Sequence, residues 1–331
     1  MNILITGASG FIGSFIVEEA LRRNYEVWAA VRKTTNRKYL QDERIQFIEL
    51  DFSSKERMKA SMQSHTWDYV VHAAGATKCR RKEDFFHVNT EGTKNLADAL
   101  IELNIIPKKF IFLSSLSAYG AVREQQPYHE ILDSDTPQPN TAYGQSKMEV
   151  ERYLDTLSSK MCITTLRPTG VYGPREKDYF LMADSIKKHL DFAVGYKPQV
   201  ITFVYVQDLV NAVFLAIDKG ESGRKYFISD GQAYSSTDFS NLIHHELGDK
   251  FMLRIKAPVW FLKVVCSSGE IIARLTGRMS ALNNDKFNIL RQRNWLCDIT
   301  PAIRELGYAP EYNLQRGVKI TMEWYKKEGW L

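Results

Sequence analysis

TGASGFIG, residues 6–13, is the stretch that decides the fold of this 331-residue chain. It follows an apolar run at 2–6, typical of a buried strand, and opens a segment at 11–23 with helical spacing of its apolar residues. In such a unit Gly7 permits a tight turn, Gly10 lets the backbone approach a pyrophosphate, and Gly13 allows close packing of helix on strand. The first amides of the helix carry partial positive charge that suits phosphates. A packing turn without ligand is the alternative, but the strand–turn–helix context favours a dinucleotide site made of Gly7, Ser9, Gly10, Phe11, Ile12 and Gly13.

Short apolar runs alternate with amphipathic stretches through the first half of the chain. Runs of β-branched residues alternating with helices are typical of βαβ units, whose parallel sheet is covered on both faces. The sequence therefore predicts an α/β fold, a Rossmann-type doubly wound parallel sheet with a smaller, mainly helical C-terminal substrate domain. The cofactor domain is assigned to residues 1–168 plus about 200–230, and the substrate domain to about 169–199 plus 231–331. Predicted strands lie at 2–6, 26–31, 45–50, 69–73, 109–114, 162–166, 200–205 and 225–228, and predicted helices at 11–23, 91–103, 141–159 and 207–219.

Composition excludes several classes of protein. A net charge of +5, with 44% hydrophobic and 25% charged residues, is ordinary for a globular protein. No long basic stripe interleaved with aromatic residues is present, so nucleic-acid binding is not expected. The four cysteines lie far apart without metal-ligand spacing, which indicates isolated thiols and no metal site. Met1 runs directly into an apolar strand instead of a charged leader, so we expect a cytoplasmic location.

Further motifs follow the glycine turn in a fixed order. They are HAAG at 72–75, HVNTEGT at 87–93, FLSSLSAYG at 112–120, YGQSK at 143–147 and RPTGVYGP at 167–174. Together with the GxxGxxG spacing of the turn, this set resembles the extended branch of the short-chain dehydrogenase/reductase superfamily, the NAD-dependent epimerase/dehydratase family, over essentially the whole chain. The resemblance implies an NAD(P)-dependent enzyme and a homodimer paired through the helices near 91–103 and 141–159. It also implies cofactor contacts from Ala73, Ala74, Gly75 and Pro168.

Tyr143 and Lys147 lie four residues apart in a predicted helix, so both side chains leave the same face. A phenol with a pKa of about 10 is a poor base, and a neighbouring ammonium group favours phenolate. Tyr143 is therefore the expected proton donor and acceptor, and Lys147 the expected partner that also holds the cofactor ribose. Alone, this spacing would indicate a surface pair; in register with the other motifs it predicts a catalytic pair.

The resemblance adds two residues to this site. It assigns Ser115 to the substrate oxygen, with Ser114 and Ser117 as neighbouring alternatives, and Asn89 to a water-linked proton path toward Lys147.

The end of the second predicted strand bears on the choice between NAD and NADP. An NAD enzyme usually carries an acidic residue there, but this chain reads Val31-Arg32-Lys33. Arg32 is similar in position to the arginine that binds the 2′-phosphate in dihydroflavonol reductase-like members, with Lys38 close by in sequence. A solvated basic loop is the alternative. We expect NADP as the preferred cofactor and NAD as the other candidate; Asp51, followed by Phe52, matches the adenine contact of the superfamily.

Two departures from sister groups bear on the substrate. Leu116 and Ser117 stand where the 4,6-dehydratases carry an Asp-Glu pair, so elimination chemistry lacks its acid and base. Gly170 stands where nucleotide-sugar epimerases usually show an asparagine in RPxNVYGP. The glycine form is similar to 3β-hydroxysteroid dehydrogenase-like and dihydroflavonol reductase-like members, which implies a bulky hydrophobic alcohol or ketone. Tyr179, Phe180 and Tyr196 are pocket candidates that could equally belong to the core.

The segment at 257–277 is amphipathic, with Trp260, Phe261 and Val264 at helical spacing. It is too charged to span a bilayer, and it fits a buried helix, a dimer contact or a membrane-facing helix. The leading hypothesis is interconversion of a secondary alcohol and a ketone on a steroid- or 3-keto lipid-like substrate, with peripheral membrane contact compatible with it. The alternatives are a nucleotide-sugar epimerase or reductase and, from another class, a non-catalytic NADP(H) sensor.

Overall fold

The computed structural model describes residues 1–276 and 284–331, without the side chains of 270–276. Part of the segment at 257–277 therefore lies outside the described residues. The described strands are β1 Asn2–Thr6, β2 Glu26–Val31, β3 Gln46–Glu49, β4 Tyr69–His72, β5 Lys109–Leu113, β6 Ile163–Pro168, β7 Gly170–Tyr172, β8 Leu190–Val194, β9 Val200–Ile201, β10 Phe203–Tyr205, β11 Lys225–Ile228, β12 Tyr234–Ser235 and β13 Leu253–Ala257.

Helices follow most of these strands. The described α-helices are α1 Phe11–Arg22, α2 Lys55–Met62, α3 Lys82–Phe85, α4 Gly92–Glu102, α5 Ala142–Asp155, α6 Asp178–Lys187, α7 Val206–Lys219, α8 Asp238–Glu246, α9 Val259–Thr276, α10 Asn284–Arg291 and α11 Leu314–Lys327. Short π-helical segments cover Phe86–Glu91 and Ala302–Leu306, and a 3₁₀ turn covers Leu116–Ala118.

The central sheet has seven strands in the order β11-β6-β5-β4-β1-β2-β3, and every neighbouring pair is parallel. The predicted doubly wound sheet is confirmed. The chain builds outward from β1 in one direction and then returns to add β4 on the other side, so the loops after β1 and β4 meet at the switch point where open α/β sheets bind ligands.

Both faces of this sheet are buried. Ile3 and Ile5 of β1 pack on α1 and α7, whereas Leu4 packs on the opposite layer with α2, α4 and α5. This alternation explains why the central strands are near-continuous apolar runs.

Apart from α7 and β11, which belong to the central sheet and its covering layer, the described residues after 168 form smaller units beside the sheet. β7 pairs with β10, β9 with β12, and β8 with β13, and helices account for much of the remainder, as predicted. The run at 200–205, expected as one strand, is two short strands on either side of Thr202, because β9 pairs with β12 whereas β10 pairs with β7. β11 lies in the large sheet and 200–205 lies outside it; the proposed division into two domains stays a prediction.

Candidate active site

The glycine turn lies directly against the loop after β4. Gly7 has φ +68°, a left-handed conformation that favours glycine, and a Cβ atom there would lie 2.7 Å from the Ala73 carbonyl group. The Gly10 amide donates to the Gly7 carbonyl oxygen at 2.9 Å and closes the turn. α1 then begins at Phe11 without a side-chain cap on its first amides. These amides are oriented donors at a helix N-terminus, the arrangement that binds phosphate groups.

A buried chain of hydrogen bonds joins the loop after β4 to the π-helical segment. The Ala74 amide donates to the Thr6 hydroxyl oxygen, which lies 2.7 Å from His72 Nδ1. On the other side of the ring, His72 Nε2 lies 2.8 Å from Thr93 Oγ1, and that hydroxyl group donates to the Asn89 carbonyl oxygen at 2.6 Å. Burial, with the charge of Lys147, lowers the pKa of His72 to about 3, so the ring is neutral. The chain fixes the position of Asn89 relative to the switch point.

Asn89 and Lys147 meet beside Gly75. The Asn89 side chain accepts from the Ala76 amide at 2.7 Å and donates to Ser146 Oγ at 3.0 Å. A Cβ atom at Gly75 would lie 3.2 Å from Asn89 Oδ1 and 3.3 Å from Lys147 Nζ. The two residues are therefore brought together, as the sequence predicted, and glycine keeps the approach to the ammonium group open.

Lys147 is buried at the carboxyl end of β5. Its Nζ donates to the Leu113 carbonyl oxygen at 2.7 Å and lies 4.7 Å from the centre of the Phe112 ring. Burial lowers the pKa of Lys147 to about 8, and the charge of Glu151 partly offsets the shift. The ammonium form therefore predominates at neutral pH.

Tyr143 is half-buried and lies edge-on to the Phe85 ring at 6.2 Å between ring centres. The neighbouring Ser115 side chain lowers the pKa of the phenol, but burial has the larger effect and raises it. This differs from the expected lowering by the ammonium group, because Lys147 Nζ donates to the Leu113 carbonyl oxygen instead. Tyr143 is thus a neutral phenol near pH 7, a state that can donate a proton.

The three candidate serines have different surroundings. Ser115 contacts Tyr143, and its Oγ accepts from the Ser117 amide at 3.1 Å. The hydroxyl group of Ser114 is buried and donates to Glu151. Gly144 packs against the backbone of Ser117, where a Cβ atom would meet the Ser117 carbonyl group. The structure thus brings Ser115, rather than Ser114, to the tyrosine.

The sequence did not predict a buried ion pair that lies next to Lys147. Glu151, one turn beyond Lys147 on α5, binds Arg167 at 2.6 Å, and both side chains are no more than 5% exposed. Arg167 also contacts Asp133 at 2.5 Å and the Tyr119 hydroxyl group at 3.3 Å. The i, i+4 spacing of Lys147 and Glu151 was the available signal. The pair ties α5 to the end of β6, next to Pro168.

Beyond Pro168, the Thr169 hydroxyl oxygen is buried and, within the described residues, has no hydrogen-bond partner. Such an atom at the end of a central strand is suited to a ligand group.

The basic side chains of the loop after β2 lie in different places. Arg32 is exposed at the end of β2, and its amide donates to Thr35 Oγ1 at 2.9 Å. Arg37 instead lies over the Phe47 ring at 4.1 Å. Lys38 lies near the Tyr39 ring and lines a groove of about 390 Å³ with Val17. Arg32 therefore stays close to the sheet edge that carries the glycine turn, whereas Lys38 lies further along α1.

Asp51 is partly exposed after β3. It accepts from the Ser53 amide at 3.0 Å and pairs with Arg57 at 2.9 Å, and the hydrogen bonds of Ser53 lower its pKa. Phe52 stacks near the His72 ring, with 5.8 Å between centres. Phe52 therefore lies next to the end of β4, and the contact of Asp51 and Phe52 with adenine stays a prediction.

Gly170 opens onto an aromatic wall that the pocket prediction only partly found. A Cβ atom at Gly170 would lie 2.7 Å from the Tyr179 hydroxyl oxygen and 3.2 Å from the Phe203 ring. Tyr179 stacks on Phe239 at 4.6 Å. The phenol of Tyr179 therefore occupies the space that a larger residue at position 170 would need. Phe180 packs on Tyr325, in the core, and Tyr196 lies at the surface, 72% exposed.

A separate cavity of about 710 Å³ lies between the loop after β11, α8 and the start of α11. Polar residues including Asp230, Asp238 and Asn241 line it, and none of the predicted site residues does. Burial raises the pKa of Asp230 to about 6.

This glycine turn, the Tyr143–Lys147–Ser115 group and the parallel sheet define a dinucleotide-dependent enzyme of the extended short-chain dehydrogenase/reductase type. The sequence model of the NAD dependent epimerase/dehydratase family matches residues 3–229, and the chain belongs to that family.

Several characterised proteins are similar along nearly the whole chain. The UDP-glucose 4-epimerase of Vibrio cholerae is 28% identical over 97% of this chain and 94% of its own. The decarboxylating sterol-4-alpha-carboxylate 3-dehydrogenase of Candida albicans is 23% identical over 99% and 98%. A crystal structure of UDP-glucose 4-epimerase with UDP-glucose from Thermotoga maritima is 25% identical, with a TM-score of 0.79 and 99% of both chains covered. Relatives of this chain therefore include both sugar-nucleotide and sterol enzymes.

The residues present fit a nicotinamide dinucleotide. The first amides of α1 have no side-chain cap, and Gly7 and Gly75 leave space that a Cβ atom would fill. The buried Thr169 hydroxyl oxygen has no hydrogen-bond partner within the described residues. These features lie on the same edge of the sheet, where the strands β1, β4 and β6 end.

Proposed function

We propose that this protein interconverts a secondary alcohol and a ketone on a hydrophobic, lipid-like substrate, with NADP preferred over NAD and Tyr143 as general acid and base. The observation that carries the substrate class is the packing of Tyr179 against Gly170. It supports an apolar, aromatic-walled site in place of a polar side chain at position 170.

Residues at the carboxyl ends of the central strands, mainly in the loops after β1, β2, β3 and β4, would hold the cofactor. The pyrophosphate would lie on the α1 amides, Arg32 would bind the 2′-phosphate, and Asp51 and Phe52 would border the adenine. When bound, the dinucleotide supplies or takes up the hydride. The remaining proposed contacts are Ser9, Lys38, Ala73, Ala74, Gly75, Lys147 and Pro168.

The proton would be moved by Tyr143. In ketone reduction its neutral phenol donates to the substrate oxygen, and the raised pKa favours this protonated state at pH 7. Ser115 would share that oxygen through its own hydroxyl group and orient it. Lys147 would hold the ribose and stabilise the phenolate left on Tyr143, while Asn89, fixed beside it, supports return of the proton through water.

Gly170 and Tyr179 would border the apolar body of the substrate, with the buried rings of Phe203 and Phe239 packed against the phenol. A Cβ atom at position 170 would lie 2.7 Å from the Tyr179 hydroxyl oxygen, so a larger residue there would require the phenol to move. The sterol dehydrogenase relative of Candida albicans supports a bulky apolar substrate within the family.

A nucleotide-sugar epimerase is the second candidate, because the UDP-glucose 4-epimerase of Vibrio cholerae is 28% identical along nearly the whole chain. An epimerase reduces and reoxidises its cofactor within one turnover, so it has no net demand for NADPH. Pairing of two chains through α4 and α5 and a cytoplasmic location stay predictions.

Stoichiometry separates the two candidates. Purified protein is incubated with NADPH and a panel of steroid and long-chain 3-keto substrates, and in parallel with UDP-glucose. We expect one NADPH oxidised per alcohol formed on an apolar ketone. Conversion of UDP-glucose to its 4-epimer without NADPH loss, together with inactivity on every ketone, would establish the epimerase instead.

Arg32→Ala tests the cofactor preference. Loss of a charge-assisted contact to the 2′-phosphate should weaken NADPH binding by about 10- to 100-fold, and NADH binding by less than about twofold. Fluorescence titration with both cofactors measures this. Arg37→Ala is the matched control, because that guanidinium lies on the Phe47 ring. Equal losses for NADPH and NADH in Arg32→Ala would refute the assignment.

A further inference from the structure

The small sheet formed by β8 and β13 has its apolar side chains on the outside. The two strands pair in parallel with Leu190 opposite Leu253 and Phe192 opposite Ile255. All four of these side chains are exposed; Phe192 is 61% and Ile255 40% accessible. Asp191, between Leu190 and Phe192, is buried.

A polar anchor on the inner face fixes this orientation. Asp191 binds Arg254 Nε at 2.6 Å, and Arg254 reaches on to Asn241 Oδ1 of α8 at 2.6 Å. A shift of one residue would expose the ion pair and bury the apolar side chains, so the anchored register selects the opposite of the pattern expected for a sheet in water.

The apolar surface continues at both ends of β13. Phe251, just before the strand, is 77% exposed, and Trp260 and Val264, in the helix that starts two residues after it, are 69% and 55% exposed. The opposite side of α9 is already occupied, because Leu262 and Cys266 pack with Phe287 of α10. Single exposed apolar residues are common, but a run of them over adjacent elements marks a surface that meets a partner.

The two segments that contain β8 and β13 are strongly basic. Residues 187–199 and 250–264 contain seven lysines and arginines against a single aspartate, Asp191, which Arg254 neutralises. Within the described part of the chain, no ion pair involves Lys187, Lys197, Lys250, Lys256 or Lys263. Asp249, the acidic residue next to the second segment, faces His244 and His245. The partner that matches exposed aromatic and aliphatic side chains among lysines is an anionic lipid surface.

Among the described helices, none combines the length and apolar character that a membrane span requires. This surface therefore suits contact along the interface of a bilayer rather than insertion across it.

We propose that the outer face of the β8–β13 sheet, with Phe251 and the first turns of α9, docks this protein on bilayers that contain anionic phospholipids. The aromatic and aliphatic side chains enter the headgroup boundary, and the lysines lie over the lipid phosphates. This inference does not rest on the proposed ketone chemistry; it would bring the enzyme to the phase in which a lipid-like substrate resides.

Vesicle cosedimentation of the full chain tests the proposal with two compositions, pure phosphatidylcholine and phosphatidylcholine with phosphatidylglycerol. We expect binding to the anionic vesicles, loss of about tenfold or more in affinity for Phe192→Ser/Ile255→Ser, and a similar loss for Lys250→Glu/Lys263→Glu, which flank the exposed Phe251 and Val264. The controls change equally exposed residues elsewhere: Ile106→Ser/Ile303→Ser and Lys160→Glu/Lys319→Glu should bind as the unaltered protein does. Thermal melting and NADPH titration of each variant verify that it is folded.

Three results would overturn the proposal. They are an unaltered protein that stays in the supernatant with anionic vesicles, control variants that lose as much binding as the surface variants, and an outer face that proves to join two copies of the chain. In the last case sedimentation velocity would show a dimer that Phe192→Ser/Ile255→Ser converts to monomer, without vesicle binding. Ketone reduction with a detergent-dispersed substrate is measured separately, so failure of docking and failure of the proposed activity are distinguishable.

Discussion

The central sheet and the β8–β13 sheet are both parallel, yet they bury different faces. In the central sheet, α1 and α7 cover one face and α2, α4 and α5 the other, so the side chains of β1 are buried in both directions. In the small sheet only the polar face is covered, by contact of Arg254 with α8, and the apolar face lies in solvent. Pairing alone thus does not decide where apolar side chains go; the elements packed on each face do. The covered sheet positions chemistry, and the uncovered one presents a surface.

The largest expected effect is on the rate of the reaction at the central sheet. Tyr143→Phe removes the proton donor at the carboxyl end of the central sheet, so the rate of ketone reduction should fall by about 10²- to 10⁴-fold. Steady-state kinetics measure the rate, and NADPH titration should give an unchanged dissociation constant. Full retained biological activity would instead revive a non-catalytic, cofactor-sensing protein.

The same substitution in both sheets compares them directly. Phe110→Ala removes a fully buried ring from β5 and should lower the free energy of unfolding by about 3–5 kcal/mol. Phe192→Ala, in β8, should change it by less than about 0.5 kcal/mol because the ring is exposed. Urea unfolding measures both values. A loss of more than about 2 kcal/mol for Phe192→Ala would show that its ring is buried in solution.

Removing a charge under the site should also be costly. Glu151→Ala leaves the buried Arg167 guanidinium without its main partner, and we expect a loss of about 3 kcal/mol in unfolding free energy. Arg224→Ala is the control, since its partly exposed pair with Glu305 should contribute less than about 1 kcal/mol. Similar values for the two variants would mean that Arg167 is compensated by Asp133 or by water.

The pH dependence of reduction should follow Lys147. Its pKa of about 8 lies below that of a free lysine, so the ammonium form is complete at pH 6 and is lost as the pH rises through 8. The value of kcat/KM should fall about tenfold per pH unit above that point. Tyr143 stays protonated there because its pKa is raised. Lys147→Arg, which keeps its charge, should lack the fall near pH 8; a profile of the unaltered protein that is flat to pH 9.5 would contradict the assignment.

The central sheet and the helices that cover it were predictable from sequence because local patterns agree with the final packing. The limits of β1, β2 and β11 coincide with the predicted strands, since burial on both faces produces continuous apolar runs. Thr141, predicted as the start of the fifth helix, is its N-cap, and its hydroxyl oxygen accepts from the Gly144 amide at 2.9 Å.

Other features depend on partners distant in sequence and could not be predicted. β8 and β13 were missed because their alternation reflects an anchor between Asp191 and Arg254, 63 residues apart. The break at Thr202 depends on partners elsewhere in the chain, since β9 pairs with β12 and β10 pairs with β7. Likewise, Gly170 was noticed as a departure from sugar-nucleotide enzymes, but the Tyr179 phenol that fills its space became visible only in the folded chain.

The hydrogen bonds around His72 admit only one tautomer. The Thr93 hydroxyl group already donates to Asn89, so it can only accept from His72, and the proton of the ring must therefore lie on Nε2. Nδ1 is then left as an acceptor for Thr6, whose oxygen receives the Ala74 amide. From the Thr6 hydroxyl group onward, each proton in this chain points toward the π-helical segment, and the ring charges only in strong acid. The hydrogen-bonded chain that holds Asn89 therefore carries no charge at physiological pH. Proton exchange at the site is left to the phenol of Tyr143 and the ammonium group of Lys147.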